Sequence, residues 1–167
     1  MTVSTADLKP PAQIAQDLPR LIERMHRRYL DVVRIELARR GTHDISPVQA
    51  MMLGTIGHEE ISVRDLIERG YYLGSNASYN LKNLVDCGYV QRQASARDRR
   101  SARLKLSAKG RDILAALAKL NVDMADGIIK GESENRDLDI AHATLRRLER
   151  RWTDAIRAES HGDDADF

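Results

Sequence analysis

The chain has 167 residues, of which 42% are hydrophobic, 31% charged and only 4% aromatic, with a formal net charge of +2. That suffices for one domain with an aliphatic core plus appendages, and no apolar run approaches the roughly 20 residues of a membrane helix. Cys87 is the only cysteine, which excludes a disulfide framework and a cysteine-built zinc site. With no basic-then-apolar signal pattern at the start, the expectation is a cytoplasmic protein without a cofactor.

Residues 1–16, with Pro10 and Pro11 among Ser and Thr, predict a loose arm. Leu18, Leu21, Ile22, Met25, Tyr29, Val32 and Val33 then recur at helical spacing and predict a helix over 18–40, stopped by Gly41. In "DISPVQAMMLGTIG" Ser46 is an N-cap and Pro47 a first helical residue, with Val48, Met51, Met52 and Ile56 as the buried face and Gly57 as the stop. "ISVRDLIERG" repeats the design, with Ser62 as cap, Asp65 three residues on, and Gly70 as the end.

"YYLGSNASYNLKNLVDCG" gives a turn and a helix over about 75–87, with Ser75 as its cap. Ala77, Leu81, Leu84 and Val85 form its apolar face; Ser75, Asn76, Ser78, Tyr79, Lys82 and Asn83 take the rest. Such residues are poor helix formers but suit hydrogen bonding to base edges and phosphates. Cys87, at the helix end, reads as a small buried hydrophobe.

"YVQRQ" and "RLKL" predict two strands, the second with Leu104 and Leu106 inward and Arg103 and Lys105 outward. The loop between them, about 94–102, has no glycine and is too long for a tight hairpin, so it projects. Ser107 caps a fifth helix carrying Ile113, Leu117, Leu120, Met124 and Ile128; a sixth carries Leu138, Ala141, Leu145, Leu148, Trp152 and Ile156. From Gln91 to Arg111 eight basic residues face one acid, Asp98, whereas the last ten residues hold four acids and no Lys or Arg. A basic patch this concentrated on a nearly neutral chain points to a polyanion. Two helices joined by a turn, then a basic hairpin, describe a winged helix-turn-helix: a mainly α fold with a small β-hairpin wing and long helices outside it.

The text "LVDCGYVQRQASARDRRSARLKLSAKG" resembles the MarR family of bacterial transcription regulators. The residues that carry the resemblance are Leu84, Gly88, Tyr89, Val90, the Asp-x-Arg of Asp98 and Arg100, and Leu106, Ser107 and Gly110. "SPVQAMML" is similar to the family's second-helix segment, and the likeness spans about 15–157. Two features depart from the family's pattern. Tyr71 and Tyr72 stand in the turn where small and aliphatic residues are commoner, and Lys82 is the one basic residue of the recognition helix.

The resemblance implies a homodimer built by the first, fifth and sixth helices, and the apolar stripe of the sixth independently asks for a large partner surface. A two-fold dimer would bind a pseudo-palindromic double-stranded DNA operator. The division expected is 1–16 as a flexible arm, 17–45 and 107–158 as the dimerisation region, 46–106 as the DNA-binding domain and 159–167 as an acidic tail. Ser75, Asn76, Ser78, Tyr79 and Lys82 are the candidate recognition residues. Arg97, Arg99, Arg100 and Arg103 are the candidate wing contacts, suited to a narrow minor groove, while Asp98 is read as a scaffold for the wing tip. The resemblance also implies a small-molecule effector, for whose site Tyr29, His43, Met52 and Tyr72 are the candidates.

An enzyme is not expected. The five histidines fall at no metal-ligand spacing, "GHEE" lacks a second histidine, and "GYYLGSN" is no phosphate loop. The alternative is a winged-helix module for protein or RNA contacts, although Tyr79 is the only candidate base-stacking platform.

Overall fold

The computed structural model describes residues 10–94 and 102–162. Among these it forms α1 (Pro11–Arg39), α2 (Pro47–Ile56), β1 (Ile61–Ser62), α3 (Val63–Gly70), α4 (Gly74–Asp86), β2 (Val90–Ala94), β3 (Ala102–Leu106), α5 (Ala108–Asp126) and α6 (Glu132–Gly162). The chain divides into two compact units, 1–120 and 121–167. No helix among the described residues is long and apolar enough to cross a membrane.

α1 begins earlier than its apolar spacing predicts, so residues 11–16 are helix and not arm. Pro11 occupies the first turn, where a proline has no intrahelical bond to lose; Pro19 lies inside the helix at an exposed position. α2 starts as expected. Ser46 Oγ accepts from the Gln49 amide, and the Ser46 amide donates to Gln49 Oε1. Its buried face is Gln49, Ala50, Met52, Leu53 and Ile56, whereas Val48 is exposed.

β1 was not anticipated. Two residues carry no periodicity, and the strand exists only because Ile61 and Ser62 pair antiparallel with Leu104 and Arg103 of β3. Ser62 and Asp65 then cap α3 reciprocally, and these bonds hold the Asp65 carboxyl below the ordinary carboxylate range. Gly70 does not stop α3 by left-handed geometry; the left-handed residue is Tyr71, at φ 52°. Gly70 is required because the Tyr72 ring occupies the space its Cβ would take.

α4 starts one residue before the prediction. Its N-cap is Leu73, with no side-chain cap, so Ser75 is not the cap. The helix ends at Gly88, φ 77°, where the Tyr89 and Gly88 amides donate to the Leu84 and Val85 carbonyls at 2.8 and 3.0 Å. β2 and β3 form the hairpin, from Val90 opposite Leu106 to Ala94 opposite Ala102. Leu104 and Leu106 are buried and Arg103 and Lys105 exposed, as the alternation predicts. Ser107 Oγ accepts from the Gly110 amide at 3.1 Å and opens α5. That helix ends before Ile128, and α6 runs well past both ends of its predicted stripe. The core of the first unit joins Val33 and Leu37 of α1, Leu53 of α2, Leu66 of α3, Leu84 of α4 and Leu117 of α5 to the inner face of the sheet.

Candidate nucleic-acid interface

Ala77, Leu81 and Leu84 bury one face of α4. Helical spacing therefore turns Ser75, Asn76, Ser78, Tyr79 and Lys82 outward, and all five are exposed, Tyr79 by 74%. Ser78 Oγ donates to the Gly74 carbonyl at 2.9 Å, which leaves its lone pairs facing outward. Asn83 does not belong to this face. It is half-buried and donates to Gln49 Oε1 at 3.1 Å and to the Asp44 carbonyl at 3.4 Å.

Arg92 lies opposite Leu104 and so on the sheet face turned to α4. With Ser78, Lys82 and Asp86 it lines an open cleft of about 250 Å3 beside the recognition face. In the sequence Arg92 is one member of the basic run, because the strand's alternation alone does not reveal which helix its inner edge meets. Arg103 is exposed on β3, opposite Ser62 and Gln93. Arg97, Asp98, Arg99 and Arg100 lie outside the described residues.

The basic run is not one surface. Lys105 pairs with Glu60 at 3.2 Å, Lys109 with Asp44 at 2.7 Å, and Arg111 Nη1 donates to the Leu106 carbonyl at 2.8 Å. Three of its eight cations therefore join elements to one another. Lys105 points outward as expected, and Glu60, just before β1, offsets its charge.

Lys109 belongs to a clip. Its ammonium lies 4.0 Å from the Tyr89 ring centroid and also donates to the Cys87 carbonyl, while the Tyr89 hydroxyl donates to Asp44 Oδ1 at 2.6 Å. Ser107 Oγ donates to the Gly88 carbonyl at 2.7 Å. The clip ties the α1–α2 loop and the start of α5 to the end of α4, and so fixes the base of the wing. Cys87 is half-buried there, contrary to the fully buried reading. Its thiol faces the Asp44 carbonyl at 3.5 Å and Asn83 Oδ1 at 3.9 Å.

Lys109, and then Tyr89, hold the Asp44 carboxyl below the ordinary carboxylate range. Burial, and then Asp44, push the Tyr89 hydroxyl up, so it stays a donor. A depressed carboxyl stabilises the fold fully above the unfolded value, about pH 4, and loses that contribution as pH falls further. Since both partners of the ion pair are partly solvated, the contribution is at most about 1 kcal/mol. Asp44→Asn should therefore lower the melting temperature slightly at pH 7, and the gap from the parent should narrow as the pH falls below the ordinary carboxylate range. Thermal melts at pH 7 and in acid check this, and a gap that widens in acid contradicts the clip.

The four effector candidates occupy different settings. Met52 is fully buried in the core, Tyr29 and Tyr72 pack half-buried against it, and His43 is exposed. The Tyr72 hydroxyl lies 3.3 Å from Thr55 Oγ1. None of the four lines the cleft beside α4.

A model of the MarR family matches residues 43–101, the span from the α1–α2 loop into the wing. The transcriptional activator of exopolysaccharide II synthesis ExpG, from Rhizobium meliloti, is 45% identical over 141 residues, covering 84% of this chain and 73% of that protein. The chain belongs to the MarR family. Solved structures agree at the level of fold. FabT from Streptococcus pneumoniae, in complex with DNA, superposes with a TM-score of 0.69 at 23% identity, over 83% of this chain and 99% of that one. A MarR regulator from Methanosarcina mazei gives 0.68 at 18% identity, over 81% and 98%. A MarR variant from E. coli complexed with operator DNA gives 0.62 at 19%, over 82% and 99%. As a MarR-family protein, the chain is a transcriptional regulator and not an enzyme.

Proposed function

We propose that this MarR-family chain binds double-stranded operator DNA as a homodimer, with α4 in the major groove and the β2–β3 hairpin reaching the adjacent minor groove. The observation that carries the reading is the outward face of α4. Five hydrogen-bonding side chains stand exposed on a helix whose other face is locked in the core, beside a hairpin that carries exposed Arg92 and Arg103. Asn76 suits adenine, Lys82 suits guanine or a phosphate, and Ser75 and Ser78 suit phosphates. Arg97, Arg99 and Arg100, outside the described residues, enter the proposal as further DNA contacts, and Asp98 as their scaffold, on sequence grounds alone.

Dimerisation is supported by apolar surface that a lone chain leaves in water. Leu21 and Met25 of α1, Val122 and Met124 of α5, and Leu138, Leu145 and Trp152 of α6 are all exposed. A second copy of the same helices is the matching surface, and its two-fold axis makes the operator a pseudo-palindrome. Control by a small-molecule effector is part of the proposal on family grounds. The identity with ExpG makes activation the sense of control to test first.

Footprinting on the DNA flanking the gene, followed by titration at several salt concentrations, tests the reading; no protected site at any salt would sink it. Arg92→Ala and Arg99→Ala should each weaken binding and flatten the log–log salt slope by about one unit. An unchanged slope removes that arginine from the interface. Asp98→Ala should weaken binding although it removes negative charge, and tighter binding would dismiss its scaffold role.

A further inference from the structure

Gln49 is the one buried polar residue among the described residues, 5% exposed, and its amide bonds to three neighbours. Oε1 accepts from the Ser46 amide at 2.8 Å and from Asn83 Nδ2 at 3.1 Å, while Nε2 donates to Asn80 Oδ1 at 3.2 Å. Asn80 Nδ2 in turn donates to the Asn76 carbonyl at 2.9 Å. One side chain of α2 thus holds two residues of α4 a turn apart, and the relay ends on the backbone of a proposed base-reading residue. Asn83 also reaches the Asp44 carbonyl, at 3.4 Å, so the network includes the α1–α2 loop.

The apolar contacts between the two helices fix which face of α4 is inward but set its register only coarsely. Burial of Leu53, Leu81 and Leu84 is non-directional and tolerates small rotations. Hydrogen bonds do not tolerate them, since they weaken steeply away from linear geometry. Sliding α4 by one residue moves it about 1.5 Å and turns it about 100°, which would part Nε2 and Oε1 from both asparagines at once. Orphaned amide groups in a buried setting are costly, so the network penalises every other rotation of α4.

Resting on the DNA-binding reading above, we infer that Gln49, through Asn80 and Asn83, is the positioning residue that fixes the rotation of the recognition helix and so determines operator specificity without touching DNA. Its partners can be replaced as a set. Gln49→Met with Asn80→Leu and Asn83→Leu removes both sides of the α2–α4 bonds and puts apolar groups of similar size in their place; the Ser46 amide loses its acceptor, a capping cost at the start of α2. Asn80→Ala is the milder variant. It keeps the bonds from Ser46 and Asn83 to Gln49 and removes only the acceptor of Nε2.

The test uses the full chain and has two arms. In the first, affinity for the footprinted operator and for unrelated duplex DNA is measured at one salt concentration. The ratio of the two should fall at least about tenfold in the triple variant, the scale of losing one base-pair readout, with binding to unrelated DNA unchanged. Asn80→Ala should lower the ratio by a smaller factor. An unchanged ratio in either variant, with helical content retained, overturns the inference; so does a parallel fall of both affinities with loss of melting temperature, which is the signature of a purely structural residue. In the second arm, residual dipolar couplings on the DNA-free protein give the angle by which α4 is rotated about its own axis relative to α2. The angle should change in the triple variant, and an angle equal to that of the parent overturns the positioning role whatever DNA does. A parent protein that protects no DNA, while its variant still shows the changed angle, overturns the DNA-binding reading and leaves the positioning role standing.

Discussion

Gly110→Ala should be the most damaging single methyl group in the chain. A Cβ at this position would overlap the Tyr89 carbonyl oxygen and lie 3.2 Å from its carbonyl carbon. Neither neighbour can yield cheaply. The Tyr89 carbonyl accepts from the Ser107 amide at 3.0 Å, and the Tyr89 side chain is 1% exposed and fixed by Asp44. The start of α5 must therefore move away from the end of α4, which opens the clip and the sheet edge together. Overpacking of this kind costs about 3 kcal/mol or more, which for a chain of this size is a fall in melting temperature of roughly 10 °C. Differential scanning calorimetry on both proteins measures it. A change of one or two degrees would mean that the approach of α5 to β2 is looser than the distances state. DNA binding should weaken with it, because the wing's base is built on this contact.

The second large effect concerns assembly. Leu145 and Trp152 lie seven residues apart on one face of α6, and both are exposed. Leu145→Glu with Trp152→Glu places two charges where the proposed dimer would bury apolar area, and burying an unpaired carboxylate is prohibitive. Sedimentation should show a monomer where the parent is a dimer. Operator affinity should then fall by about 100-fold or more, since the second half-site no longer benefits from being tethered to the first. Circular dichroism should stay close to that of the parent, because these side chains stand exposed in the single chain. A dimer that persists in the double variant would move the interface away from α6.

Much of this was legible in the residues themselves. Ser46 and Ser62 announced their helices, because a capping box is a local device whose partners lie three residues apart. Leu104 and Leu106 announced the inner face of β3 by alternation. The outward face of α4 was likewise readable, since Ala77, Leu81 and Leu84 fix by helical geometry which side the polar residues must take. Other features were hidden because their partners are distant in sequence. β1 has two residues and exists only through β3. Lys105, Lys109 and Arg111 looked like part of one basic surface until Glu60, Asp44 and the Leu106 carbonyl were found beside them. Asn83 looked like a member of the recognition face, and Gln49 was merely one letter in a helix opening.

The sequence by itself determined the main helices, the two hairpin strands and which face of α4 is polar, because caps and periodicity act over a few residues; β1 and the first turns of α1 escaped it. Only the tertiary structure decided which of the basic and polar residues remain available to a partner. An ion pair or a shared amide joins positions 31 to 65 residues apart here, and no local pattern encodes that meeting. The arginine-rich loop keeps its DNA-facing role as a proposal, but the charges that flank it hold the wing's base together.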